Sequence, residues 1–318
     1  LQNTYPKVMR DFLVYLTAIK GKSKRTREEY EYDLLLFFRF LKAVQQDIEL
    51  KLVDQIDISD ITIDFIREIS LEDMYLFLEY CEEQRRNSAH ARARKGATLK
   101  SFFNYLKSKR HLIEDNPASE LESPKIGKRQ PIYMTMEEAR IFIDGIKEST
   151  HYYRNYCMIT FFLNLGIRVT ELCKLNLTSI QGDYLTVTGK GDKERTVFLN
   201  EACQNALSRY LKKERYAIKD SDTNESLFLS QKGTRLTRQR VAKIVKEINE
   251  QSGLNKTKLT PHKLRHTSAT MMYKSGADIR SLQQILGHSS VSTTQIYTHV
   301  EDKEIQQVIE NNPFNQLI

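Results

Sequence analysis

Apolar positions in the first third of the chain recur at helical spacing. Thr26 and Glu29 form a capping-box pattern ahead of EYEYDLLLFFRFLKAV, which predicts an amphipathic helix. LEDMYLFLEYCEEQ predicts a second helix, with Leu71, Tyr75 and Leu78 on one face. A third is expected from about Ala89 to Leu106, with Leu99, Phe102, Phe103 and Leu106 along one face. The periodicity then breaks. DNPASELESPKIGKRQP carries Pro117, Pro124 and Pro131 and little apolar content, the composition of an interdomain linker. Thr135 and Glu138 reopen helical structure at EEARIFIDGI. Further on, YLTVTG and RTVFLN read as strands joined by a Gly-Lys-Gly-Asp-Lys turn. Helices follow around Ala202 to Tyr216 and Thr237 to Asn249, separated by the apolar run SLFLS, and Gly253 closes the second. The expected fold is mainly α with a small β-sheet in the C-terminal domain. Residues 1–120 form a helical domain, 121–131 a linker, and 132–318 a mixed domain.

At 318 residues the chain suits two domains of ordinary size. A hydrophobic content of 40% and a charged content of 28% fit a soluble globular chain rather than a disordered one. No apolar run approaches a membrane span, and LQNTYPKVMRDF has no apolar signal core. Cys81, Cys157, Cys173 and Cys203 lie far apart and make no CxxC pair, so neither a zinc site nor a disulfide framework is expected, and a cytoplasmic location fits. The net charge of +8 favours a polyanionic partner. Its clearest concentration is the polar face of the third helix, with Arg92, Arg94, Lys95 and Lys100, in a stretch from Arg85 to Arg110 that holds no acidic residue. Lys125, Lys128 and Arg129 extend the basic character into the linker. These seven are the candidate DNA contacts.

Four segments carry candidate chemistry. In GIRVTELCKL, Arg168 and Glu171 stand three apart near a helix start, where an ordinary ion pair is the simplest account. In VTGKGDKER a tight turn lifts Lys190, but without the Ser or Thr that a P-loop requires next. In LTPHKLRHT, Thr260 can cap a helix that Pro261 begins, so His262 and Arg265 share a face near its positive end. His262 and His266 have metal-ligand spacing, but Lys263 stands where a zinc protease needs Glu. In LQQILGHSSVSTTQIYTHV, Gly287 ends a helix, His288 lies in the next turn, and Tyr297 is expected on a short helix beyond.

Each segment alone has a structural explanation, but their ordered set resembles the tyrosine recombinase (phage integrase) family, most closely its bacterial Xer branch. GIRVTEL, GKGDKER, HKLRHT, LGHSS and IYTHV carry the resemblance, with the basic helix before DNP and the SPK linker. It implies an N-terminal SAM-like DNA-binding domain and a catalytic domain that together clamp a duplex. The implied catalytic residues are Arg168, Lys190, His262, Arg265, His288 and Tyr297, with Glu171 in support. No cofactor or metal is implied. The implied partners are double-stranded DNA with inverted repeats and three further protomers, alike or different, in a nucleoid-associated tetramer. Chromosome dimer resolution, hence partition and cell division, or integration and excision of a mobile element would be its role. In the tail EDKEIQQVIENNPFNQLI, Ile305, Val308 and Ile309 fall at helical spacing, so a short helix is expected that packs on its own domain or, as the resemblance implies, docks on a neighbour. Gln45 to Ser70 is longer than the common Xer pattern. The physical chemistry agrees. Two planar guanidinium forks match phosphate oxygens. A lysine can protonate the leaving oxygen, and a phenol with a reference pKa of about 10 needs nearby cations and a base to attack. Two rivals fit part of the pattern: a relaxing topoisomerase of the same tyrosine chemistry, and a non-catalytic DNA-binding regulator.

Overall fold

A computed structural model describes residues 5–125, 133–189, 192–218 and 224–287. Contacts divide the chain into Leu1–Lys128 and Arg129–Ile318.

The first unit is helical: α1 (Lys7–Val14), α2 (Lys24–Gln45), α3 (Ile63–Arg67), α4 (Leu71–Glu83) and α5 (Ala89–Ser108). Side-chain caps set where α2 to α5 begin. Ser70 and Asp73 form a reciprocal box at α4, and Ser88 accepts from Ala91 N–H at α5. The expected Thr26–Glu29 box is not the start of α2. Ser23 caps that helix by accepting from Thr26 N–H, so it begins most of a turn earlier and Thr26 lies inside it. The stripe Leu99, Phe102, Phe103 and Leu106 is fully buried, as its spacing predicts. It meets Phe12, Phe37, Phe38 and Phe77 in an aromatic core with edge-on pairs such as Phe12–Phe102 at 5.3 Å and Phe37–Phe77 at 5.1 Å. The long stretch after α2 contributes Val53, Ile58 and Ile66 to the same core. It is built into the domain rather than looped out.

The second unit comprises α6 (Met136–Asp144), α7 (Tyr152–Leu165), α8 (Val169–Lys174), β1 (Ile180–Gln181), β2 (Tyr184–Thr188), β3 (Glu194–Phe198), α9 (Glu201–Lys213), α10 (Arg238–Gln251), α11 (Pro261–Lys274) and α12 (Ile279–Leu286). Thr135 and Glu138 form the expected box at α6. The strands make an antiparallel sheet in the order β1-β2-β3, with Leu185 opposite Val197 and Val187 opposite Arg195. Helix α7 runs through the middle of this core, packed against α9 and α11, with Cys157, Ile159, Phe161 and Phe162 buried. It ends at Gly166 in the left-handed region, φ 57°. A Cβ there would lie 2.7 Å from Leu286 Cδ2, so a larger residue would meet the left-handed conformation and a side chain that has to shift. Gly287 ends α12 in the same way, at φ 63°. Among the described residues no helix is long and apolar enough to cross a membrane.

Candidate active site

Arg168 occupies the N-cap position of α8, and Glu171 is three residues further, inside the first turn. One Glu171 carboxylate oxygen therefore reaches back and accepts from Arg168 N–H at 2.8 Å. Arg168 Nη1 donates to the other at 2.7 Å. The local ion pair that spacing alone suggests is thus present, but it is part of something larger.

Glu171 has only 2% of its side chain exposed. Arg195, on β3, donates from Nη1 and Nη2 to Oε1 and Oε2 at 3.1 and 2.9 Å. Arg265, on α11, places Nη1 3.9 Å from Oε2. Burial raises the carboxyl pKa, but hydrogen bonds from Arg195 and from the Arg168 backbone, the Arg195 charge and the Arg168 side chain outweigh it and hold Glu171 at about 2. The carboxylate is ionised at any working pH and gathers three guanidinium groups around itself.

The same three arginines reach the last carbonyls of α12. Arg195 Nε donates to Ile285 O at 2.8 Å, and Arg265 Nη2 to Leu286 O at 2.7 Å. Arg168 makes longer contacts, 3.4 Å to Leu286 O and 3.3 Å to Gly287 O. Helix C-termini leave such carbonyls without intrahelical partners and carry partial negative charge, so cations are favoured there. Arg265 also donates to Gly166 O at 2.6 Å. The left-handed turns at Gly166 and Gly287 thus present carbonyls to one arginine cluster. Arg265 is nearly buried, at 2% side-chain exposure, whereas Arg168 is 36% exposed.

His262 lies one turn before Arg265 on the rim of α11. Its Nε2 is 3.1 Å from Nε2 of His266, with the rings edge to face at 83°. Partial desolvation, then the charges of Arg265, Lys263 and Arg168, lower its pKa, so the ring is neutral near pH 7. A neutral imidazole can accept a proton. Thr260 supplies the extended N-cap conformation ahead of Pro261 but no side-chain capping bond.

Lys190, His288, Tyr297, Lys128, Arg129 and the C-terminal tail lie outside the described residues. The strands flanking Lys190 are in place, and Gly189 N–H bonds Lys193 O at 2.8 Å across the base of its turn. Lys193 is exposed in that turn.

The basic face expected on α5 requires a correction. Lys95 is 2% exposed and donates to Asp33 at 2.9 Å, with Thr98 bonded to the same carboxylate. It is a buried structural cation and cannot meet a phosphate. Arg94 also pairs with Asp33, and Arg92 pairs with Glu82. Their acidic partners come from α2 and α4, so scanning α5 for acids could not find them. Lys100 is half-buried and Lys125 exposed.

Arg195 was not among the sequence-derived candidates. The signal is present in RTVFL, where Arg195 and Val197 share one face of β3 and Leu199, just beyond its end, is also buried. A cation on an otherwise apolar strand face marks a buried partner.

Residues 133–304 match the phage integrase family, and residues 9–110 match the N-terminal SAM-like domain of phage integrases. Over 318 residues the chain is 46% identical to the tyrosine recombinase XerC of Caldanaerobacter subterraneus subsp. tengcongensis, spanning 98% of this chain and 88% of that protein. It is 33% identical over 302 residues to the tyrosine recombinase XerD of Listeria innocua, spanning 94% and 95%. Among solved structures, the XerH site-specific recombinase in a post-cleavage complex with a palindromic difH substrate matches with a TM-score of 0.67. That match has 22% identity and covers 96% of this chain and 94% of that one, which carries the fold.

Proposed function

The chain belongs to the phage integrase family as an Xer-like tyrosine recombinase, a site-specific enzyme acting on DNA, and from that premise we propose that Tyr297 is its nucleophile and Arg168 and Arg265 its phosphate clamp. What supports the clamp is one observation: Arg168 and Arg265 converge on buried Glu171 and on the end of α12, immediately before His288 in the chain. Two preorganised guanidinium groups at a helix end, backed by a single carboxylate, suit an anion whose negative charge grows during reaction.

On this reading the Tyr297 oxygen attacks the scissile phosphorus. Its proton passes to neutral His262, and the P–O5′ bond breaks as Lys190 protonates the departing 5′ oxygen. The product is a 3′-phosphotyrosine and a free 5′ hydroxyl. Rejoining reverses these steps with another strand's 5′ hydroxyl, so bond energy is conserved and neither nucleotide hydrolysis nor a cofactor is needed. Arg168, the more open of the two arginines, meets the phosphate first. Arg265, fixed by two carbonyls, sets the plane against which the phosphate settles. His288 adds a hydrogen bond to a phosphoryl oxygen. Four protomers on paired inverted-repeat sites exchange strands in two rounds through a Holliday junction, with Lys100, Lys125, Lys128 and Arg129 following the backbone.

The test uses duplexes selected for binding from a random-sequence pool and rebuilt with a nick next to the cleavage position, so that the cut end diffuses away. Wild-type protein accumulates as a covalent adduct. Tyr297→Phe binds the same duplex and forms none. Adduct formation by Tyr297→Phe at the wild-type level overturns the assignment of the nucleophile.

A further inference from the structure

Arg195 has no assigned share in proton transfer or in the phosphate clamp. It is nevertheless bonded to two other elements of the site. Its side chain is 14% exposed. One guanidinium joins β3, the start of α8 through both Glu171 oxygens, and the end of α12 through Ile285 O. It also lies directly against the turn at Gly287. A Cβ there would stand 3.0 Å from Arg195 Nη1 and 3.2 Å from Cδ. The arginine therefore forms the support beneath the turn from which the chain continues to His288.

Its second effect is on charge. Three arginines and one carboxylate give the cluster a formal charge of +2. Arg195 engages both carboxylate oxygens through two parallel N–H bonds, the strongest arrangement available to such a pair. Without it, Glu171 would be left with Arg168 and Arg265, and the cluster would fall to +1. Arg265 Nη1, now 3.9 Å from Oε2, is then the nearest cation able to close on the carboxylate. Both changes would move charge away from a phosphate just as its negative charge grows.

We infer that Arg195 is a positioning residue for strand cleavage, holding the Glu171 carboxylate and the end of α12 so that Arg168 and Arg265 keep their orientation and charge for the scissile phosphate. The inference rests on the reading of those two arginines as the clamp.

The experiment compares two versions of the nicked duplex in the full-length protein. One carries the ordinary scissile phosphate. The other carries a methylphosphonate there, uncharged because methyl replaces one non-bridging oxygen. Arg195→Ala should bind both like the wild type and cleave the charged substrate about 10- to 100-fold more slowly, the range typical when groups that hold a functional ligand are removed. On the neutral substrate the deficit should shrink to about 3-fold or less, because less negative charge then has to be met. Arg195→Lys, which keeps the charge but loses the fork, should recover part of the rate on the charged substrate. Equal losses on both substrates, with wild-type adduct present, would make the role purely structural and overturn the inference alone. If Arg195→Ala does not bind, the same ratio is read in Arg195→Lys, and failure of both to bind makes Arg195 a folding residue and also overturns it. No adduct from wild-type protein on either substrate would overturn the clamp reading and this inference together.

Discussion

Glu171→Gln isolates the charge at the centre of the arginine cluster. The amide has nearly the same shape, but its nitrogen offers N–H donors to guanidinium groups that are themselves only donors. Breaking a buried ion pair from one side costs about 3–5 kcal/mol, because the remaining charge stays buried without its partner. The pKa of Glu171 leads to a similar figure. A carboxyl held at about 2 rather than the ordinary 4.5 corresponds to roughly 3 kcal/mol of stability at neutral pH, at about 1.4 kcal/mol per pH unit. Because the folded pKa is depressed, this stability is present above the unfolded value and is lost as pH falls through 4.5 toward about 2. About 1 kcal/mol should be gone by pH 4 and about 2 kcal/mol by pH 3. Urea unfolding followed by circular dichroism, with hydrogen exchange on peptides from α7, α8 and α11 to locate the effect, measures it. Glu171→Gln should lose about 3 kcal/mol at pH 7, with exchange in those helices about a hundredfold faster. The gap to the wild type should narrow to about 1 kcal/mol at pH 3. A variant within about 1 kcal/mol of wild type at pH 7, or a gap that does not narrow in acid, would refute the claim that ionised Glu171 neutralises these arginines.

Further outcomes follow for each unit separately. Gly166→Ala should destabilise the second unit by about 1–3 kcal/mol, since it forces a Cβ into the left-handed region and toward Leu286; thermal unfolding of the purified variant checks this, and an unchanged midpoint would show that α12 gives way freely. Lys95→Met should leave the salt dependence of DNA binding unchanged, because Lys95 is 2% exposed and bonded inward, whereas loss of a true phosphate contact lowers the slope of log K against log salt by about 1; Asp33→Leu should cost about 3–5 kcal/mol by leaving Lys95 buried without its carboxylate.

The parts legible in the sequence were those whose cause is local. The buried stripe of α5, the box at Thr135, the start at Pro261 and the end at Gly287 each depend on residues within a few positions of one another, and each has the predicted form. The mainly helical fold with a small sheet follows from the same periodicities. Even there, Ser23 takes the place of Thr26 as the cap of α2, because two hydroxyl residues three positions apart offer two possible starts. Longer-range pairing was less visible. Lys95 and Asp33 are 62 positions apart, and an unopposed run of basic residues on α5 looked like a surface because its acids lie on other helices. At the site, Arg168 and Glu171 were visible as a pair three residues apart, but the partner that changes its meaning, Arg195, comes from a strand 24 positions away. A lone helical ion pair would be a surface feature worth a few tenths of a kcal/mol. With Arg195 behind it and Arg265 beside it, the same carboxylate is buried and ionised, and it ties α8 to β3, whose Arg195 also bonds the end of α12. The motif strings place Glu171 among the candidates only by resemblance. The fold adds the physical reason: its buried carboxylate holds Arg168 and Arg195 by hydrogen bonds, with Arg265 3.9 Å away.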